Sequence, residues 1–238
     1  MVPDWPAAPR VRSLITTRAG GVSSGAFASL NLSARVGDDP QCVARNRAIL
    51  RACLPGEPAW MRQVHGSAVI DADRVTPDTE ADAAVTRRAG AVCAVMTADC
   101  LPILLSDRAG GVVGVAHAGW RGLADGVVES AVRAMDTLPR DLIAYIGPGI
   151  GPHRYEVGED VRGAFLAKDP AADVAFVARG DGKYLADLYA LARSRLAAAG
   201  VPATYGGGSC TASDERFFSF RRDRTTGRMA GLIWIEDR

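Results

Sequence analysis

Histidine is scarce in this chain, three in 238 residues, which closes it to chemistry that needs many imidazoles. The five cysteines are odd in number and irregularly spaced, which argues against a disulfide framework. The paired spacings of zinc fingers and zinc ribbons are also missing, so a closed structural zinc site is poorly supported. No uninterrupted apolar run approaches the roughly 20 residues needed to span a bilayer as a helix. The opening residues, Met1-Val-Pro-Asp-Trp-Pro6, lack the basic and apolar regions of a secretory signal, and the expected compartment is the cytoplasm. Charge of one sign is lacking too. A formal net charge of +1 gives no electrostatic case for nucleic acid or an anionic membrane. Internal repeats and low-complexity linkers do not occur.

What is present is an ordinary globular composition, 48% hydrophobic and 23% charged, in which strand-like and helix-like segments are mixed throughout. That mixture favours a single α/β domain over 1–238, with mixed β-sheets and flanking helices. Strands are expected at 13–17, 58–65, 68–70, 91–96, 103–106, 112–115, 142–146 and 229–235. Helical periodicity runs from Gln41 to Cys53, over about 15 residues after Trp120, from Gly158 to Phe165, and from Tyr184 to Ala199. Pro77 to Ala83 reads as an acidic loop. Cys42, Cys53 and Cys93 lie in apolar periodic contexts and read as buried packing residues.

The chain is organised around two segments, Thr97-Ala-Asp-Cys-Leu-Pro102 and Ala116-His-Ala-Gly-Trp-Arg-Gly122. Apolar runs between them flank a Gly-bearing turn at 107–111, a hairpin signal. A loop of Asp107 to Gly110 pairs Ser106 with Gly111 and sets Cys100 opposite His117. A loop one residue longer makes them diagonal neighbours. Either way their Cβ atoms lie within roughly 8 Å. A parallel arrangement through another element fits the same pattern. A thiol and an imidazole at adjacent strand ends suit a metal, or a nucleophile and its base.

Several segments, in order over nearly the whole chain, resemble a known family. They include Arg18-Ala-Gly-Gly21, Leu30-Asn-Leu32, Gln63-Val-His-Gly66, Thr97-Ala-Asp-Cys-Leu-Pro-Ile103, Ala116-His-Ala-Gly-Trp-Arg-Gly122, Gly147-Pro-Gly-Ile-Gly-Pro152, Tyr155-Glu-Val-Gly158, Phe218-Ser-Phe-Arg-Arg222 and Thr226-Gly-Arg228. The chain resembles the bacterial laccase-domain proteins. These were formerly called multicopper polyphenol oxidoreductases and are now described as zinc-dependent purine nucleoside phosphorylases with adenosine deaminase activity. The resemblance implies a mixed-sheet α/β fold and three metal ligands, here His65, Cys100 and His117. It also implies adenosine, inosine or methylthioadenosine as substrates, together with phosphate. There are two departures: His153 stands where many relatives carry Cys, and Ser209 stands where relatives often carry Asn.

One Cys with two His leaves a fourth tetrahedral position open, the form of a catalytic zinc, which can bring bound water to a pKa near 7. The alternative is that His65 and His117 are structural. Asp99 can orient a ligating imidazole or merely cap a turn. Arg121 follows a Gly-Trp turn at a helix start and can meet an anion. Arg221 and Arg222 are a second anion candidate, with a salt-bridge pair as the structural alternative. Trp120 can stack on a base. Asn31 and Gln63 complete the expected substrate contacts, with Cys100, His117 and Arg121 as the catalytic set. Four functions compete. Zinc-dependent nucleoside chemistry is first. A copper polyphenol oxidase is second, weakened because three histidines are too few for several copper centres. A metal-free cysteine hydrolase and a non-enzymatic module tethered by zinc complete the set.

Overall fold

The computed structural model describes residues 1–76 and 78–237, so Pro77 of the expected acidic loop and Arg238 of the expected domain lie outside the described residues. In chain order the elements are β1 (Val11–Ile15), α1 (Pro40–Arg51), β2 (Pro58–Ala59), β3 (Val69–Asp71), β4 (Ala83–Thr86), β5 (Val92–Thr97), β6 (Leu101–Asp107) and β7 (Val113–Ala118). Then follow α2 (Trp120–Ala124), α3 (Val127–Ala134), β8 (Leu142–Ile146), β9 (Glu156–Gly158), α4 (Glu159–Leu166), β10 (Phe176–Gly180), β11 (Lys183–Ala186), α5 (Leu188–Ala198), β12 (Ala203–Gly206), α6 (Phe220–Asp223) and β13 (Met229–Ile235).

Alternation along the central strands sets the layers, because successive strand residues face opposite ways. On β6, Leu101, Ile103 and Leu105 pack towards α2, α3 and α5, while Leu104 joins Val113 and Val115 against Cys93, Val95 and Ile233. On β5 and β13, Val92, Ala94, Leu232 and Trp234 face the opposite way, under Leu50 of α1. A six-stranded sheet, β12-β8-β6-β7-β4-β3, therefore packs on a four-stranded sheet, β1-β13-β5-β2, with helices outside both. A small antiparallel sheet, β10-β11-β9, lies beside α4. This is one domain with mixed parallel and antiparallel sheets, as expected from the sequence. Among the described residues, no helix is long and apolar enough to cross a membrane.

Four local expectations need correction. The helix expected after Trp120 is two helices, split where Gly126 takes φ +91°. The helix expected from Tyr184 is a strand, β11, followed by α5, whose start is fixed by the Asp187 carboxylate accepting from the Ala190 amide (2.9 Å). Tyr184 and Leu185 are used in pairing with β9 and β10. The strand expected over 58–65 is regular only at Pro58–Ala59, and the chain then turns irregularly to carry His65. Of the three cysteines read as buried, only Cys93 is. Cys42 is half-buried and Cys53 exposed, since both lie off the apolar stripe of Val43 and Leu50 that α1 presents.

Candidate metal centre and its cavity

Two strand ends and one loop deliver the site. In the β6–β7 hairpin, Ser106 faces Val113, Leu101 faces Ala118 and Pro102 faces His117. The turn is longer than either loop the sequence suggested, because the Asp107 carboxylate gathers the amides of Gly111 (2.7 Å) and Val112 (3.0 Å). Continued outward, this register brings Cys100 opposite Gly119, so Cys100 is diagonal to His117 and not opposite it. A side chain at 119 would fill the gap over the thiol: a Cβ there falls 2.9 Å from Cys100 Sγ and 2.9 Å from His65 Cδ2. The missing side chain leaves room for His65, which arrives on the loop before β3 with φ +60°. The potential ligand atoms of His65, Cys100 and His117 all lie within 4.8 Å of one another. Cys100 Sγ is 3.9 Å from His65 Nε2, and the two imidazoles meet edge to face, centroids 4.8 Å apart.

Buried Asp82 stands behind this group. Its Oδ1 lies 2.8 Å from His117 Nδ1, which turns His117 Nε2 towards the thiol. The same carboxylate accepts the amides of Val64 (3.0 Å), His65 (3.0 Å) and Gly66 (2.8 Å). Of the two roles the sequence left open for Asp99, orienting an imidazole or capping a turn, the first falls away, because its carboxylate is bonded elsewhere. At φ +88°, Asp99 directs its carboxylate to the tail, accepting from Thr211 Oγ1 and the Arg221 amide, each at 2.6 Å.

Electrostatics follow from this packing. Burial raises the Cys100 thiol, but the His117 cation and hydrogen bonds from both imidazoles outweigh it and bring it down to about 6. Burial lowers His117, but the Cys100 thiolate and the Asp82 carboxylate outweigh that and lift it to about 9. Asp82 is pushed up by burial, yet His117 and the loop amides hold it below the usual carboxylate value. Near neutral pH these shifts favour a Cys100 thiolate beside a His117 imidazolium, backed by the Asp82 carboxylate.

The three donors open into a cavity of about 480 Å³. Gln63, Trp120, Arg121 and Arg221, all expected at the site, line it. Gln63 is fixed by two hydrogen bonds to the Met96 backbone (2.7 and 2.9 Å). The Arg121 guanidinium stacks over Trp120, 4.5 Å from the ring centroid, and Arg221 over Tyr155, 5.3 Å away. Asn31 is placed elsewhere: fully buried, its amide is spent on Ser33, Asp38 and the Arg228 backbone, so it is framework. Arg222 is the salt-bridge residue of its pair, held by Asp223 at 2.9 Å. His153 is outside the cavity lining, and Ser209 contributes its carbonyl to Tyr189 (2.8 Å).

Sequence reasoning missed Asp82, Tyr155 and Arg228. Asp82 had a legible signal, a lone carboxylate between the buried alanines Ala81 and Ala83. Arg228 and Tyr155 sat in segments that carried the resemblance without being given roles. Arg121, Arg221 and Arg228 all line the cavity, and among the described residues none makes a salt bridge.

The donor set fits a metal. A tetrahedral zinc with bonds of about 2.0–2.3 Å holds its donors roughly 3.3–3.8 Å apart, close to the sulfur–nitrogen separation found here. Two imidazoles and a thiolate suit zinc or copper, and His65, Cys100 and His117 would hold such an ion at the cavity lining.

Fold and site together define a mixed-sheet α/β protein with a possible metal-binding His/Cys/His group at the base of a cationic cavity. The chain belongs to the family described as multi-copper polyphenol oxidoreductase laccase, whose model matches residues 12–236. It is 50% identical over 241 residues to purine nucleoside phosphorylase PA4543 of Pseudomonas aeruginosa, covering 100% of this chain and 98% of that protein. It is also 50% identical over 239 residues to purine nucleoside phosphorylase YfiH of Escherichia coli, covering 99% and 98%. Among solved structures, Neisseria meningitidis protein NMB0706 superposes with a TM-score of 0.96 at 50% identity, over 100% of this chain and 99% of that one. YlmD of Geobacillus stearothermophilus gives 0.91 at 35% identity, over 98% and 94%.

Proposed function

We propose that this chain is a zinc-dependent purine nucleoside phosphorylase of the cytoplasm. It cleaves adenosine, inosine or methylthioadenosine with phosphate, and adenosine deamination is a second activity of the same site. The observation that carries the reading is the junction of the His65, Cys100 and His117 donors with a cavity lined by Arg121, Arg221 and Arg228, none of which makes a salt bridge among the described residues. Phosphorolysis needs a dianion held beside a ribosyl carbon that gains positive charge as the purine leaves. Arg121 and Arg221 hold that dianion by charge-assisted hydrogen bonds, with their planes fixed by Trp120 and Tyr155. A zinc on His65, Cys100 and His117 supplies Lewis acidity towards an oxygen nucleophile. The relatives' names support phosphorolysis, and the departures at His153 and Ser209 lie outside the cavity lining.

The test is a nucleoside panel with and without phosphate, read by product identification, beside the metal content of protein purified without added metal. Arg121→Ala is expected to keep zinc and to lose roughly ten- to a hundredfold or more of phosphate-dependent cleavage, because a charge-assisted hydrogen bond contributes about 1.5–3 kcal/mol. Deamination, whose nucleophile is water, falls less. Unchanged phosphorolysis in that variant removes Arg121 from the site.

A second reading rests on one observation. Cys100, His117 and Asp82 form a nucleophile–base–carboxylate series, which is the arrangement of a cysteine hydrolase. Its separating measurement is alkylation of Cys100 in protein as purified. Rapid reaction, with no metal and no nucleoside turnover, selects the hydrolase. A copper oxidase has less behind it, since the chain has only three histidines.

A further inference from the structure

We propose that Asp82 is the positioning residue for two of the three metal donors at once, so that the His65 loop and His117 are locked to each other before any metal binds. The proposal rests on the metal-site reading above. His65 and His117 come from different parts of the chain: one from an irregular loop, the other from a central strand of the six-stranded sheet. A single fully buried carboxylate joins them. Its Oδ1 is shared between His117 Nδ1 (2.8 Å) and the His65 amide (3.0 Å), and its Oδ2 takes the amides of Val64 and Gly66. Four donors on two oxygens leave this buried anion well satisfied, which is what makes burying it tolerable.

The backbone beneath supports the same register. The His117 amide donates to the Asp82 carbonyl (2.7 Å), so the residue is tied to His117 through both main chain and side chain. Three consecutive amides can point at one carboxylate only if the loop is tightly curved, and His65 accordingly sits at φ +60°, where non-glycine residues are uncommon. Such a conformation persists when its surroundings over-determine it. Without the carboxylate, three amides and the His117 imidazole lose the acceptor they share. Cys100 does not depend on Asp82. Its position is set by β6 and by the contacts of Asp99 to Thr211 and Arg221.

The first test is zinc affinity of Asp82→Asn and Asp82→Ala, measured by chelator competition on folded protein, with the visible spectrum of the cobalt-substituted forms. Loss of a residue that orients a ligand costs about 10- to 100-fold in metal affinity, and here two ligands are released together, so a loss at or above the top of that range is expected. The cobalt spectrum should change, and Asp82→Glu should recover less than full affinity. In a double-mutant cycle with His65→Ala, the effect of Asp82→Asn should shrink, because one of the two ligands it positions is already gone. If wild-type protein binds no zinc, the metal-site reading fails. If wild type binds zinc and folded Asp82→Asn binds it equally well with an unchanged cobalt spectrum, this inference alone is overturned.

A second measurement needs no variant. Hydrogen exchange at the amides of Val64, His65 and Gly66 should be slow in metal-free wild-type protein. Fast exchange there, slowed only when zinc is added, would mean that the metal orders the loop, and would overturn the proposal.

Discussion

Gly119→Ala tests the site geometry with the smallest available perturbation. The backbone at Gly119 is extended, φ −72° and ψ 161°, so alanine adopts it without strain, and the new methyl is the whole change. That Cβ would lie 2.9 Å from Cys100 Sγ and 2.9 Å from His65 Cδ2, where relaxed contacts need about 3.5–4.0 Å. One or both ligands must therefore retreat by roughly 0.6–1 Å, several times the tolerance of about 0.2 Å on a metal–ligand bond. Neither retreats freely: Cys100 is tied to β6, and the His65 loop to Asp82. A loss of zinc affinity of about 10- to 100-fold follows, or about 1.4–2.7 kcal/mol. The assay is competition with a chromophoric chelator at constant pH. Chemical denaturation of the metal-free form separates the cost of placing alanine at the start of α2, about 0.5–1 kcal/mol. Gly163→Ala is the control, because a Cβ at that position in α4 meets nothing within 4 Å. Unchanged zinc affinity in folded Gly119→Ala would refute the idea that these two side chains hold the metal in the arrangement described.

Proton release reports the charge state of the site. Cys100 at about 6 and His117 at about 9 mean that the metal-free protein carries a thiolate and an imidazolium near pH 7.5, so zinc binding there should expel about one proton, from His117. The sign follows from each shift: release rises as pH falls below about 6 and the Cys100 thiol holds its own proton, and the contribution of His117 disappears above about 9. Calorimetry in buffers of different ionisation enthalpy measures this, and no release at pH 7.5 would contradict the assignment. Tyr189→Phe should destabilise the fold by about 1–3 kcal/mol in denaturant titration, with little effect on zinc affinity. The buried hydroxyl accepts from the Gly149 amide (2.7 Å) and donates to the Ser209 carbonyl (2.8 Å), and removal strands both.

The strands were readable where an apolar run is buried on both faces. Leu142–Ile146 coincides with its expected range, and the runs near 92–97 and 101–107 differ only at their ends. What could not be read was decided by single polar side chains acting across the chain. Asp187 turned an apparent helix into strand then helix, and the Asp107 carboxylate lengthened the hairpin turn and moved the Cys100 partner to Gly119. The three metal donors could be nominated, but not the carboxylate behind them: Asp82 and Asp99 have similar small neighbours in sequence, and only backbone direction at Asp99, φ +88°, shows which one faces away from the imidazoles. Asn31 erred for a related reason. A polar residue between two leucines looks available for binding, yet here it is fully buried in an irregular segment and satisfies the backbone of Ser33 and Arg228.

The charge of the site links metal and substrate. Without metal, the Cys100 thiolate and the Asp82 carboxylate exceed the His117 imidazolium by one negative charge, which the cavity arginines partly neutralise. Taking up a dication and expelling one proton makes that set neutral. Asp99 is occupied by Thr211 and the Arg221 amide, so Arg121, Arg221 and Arg228 then face the cavity with little opposing charge. Such an excess of positive charge favours the entry of an anion. On the phosphorylase reading proposed above the metal-loaded form is the one suited to a phosphate, and on the thiol reading the metal-free form sets a thiolate beside its base. One set of residues supports the phosphorylase reading or the thiol reading according to what fills the position between His65, Cys100 and His117. For that reason metal content and nucleoside turnover have to be measured on the same preparation.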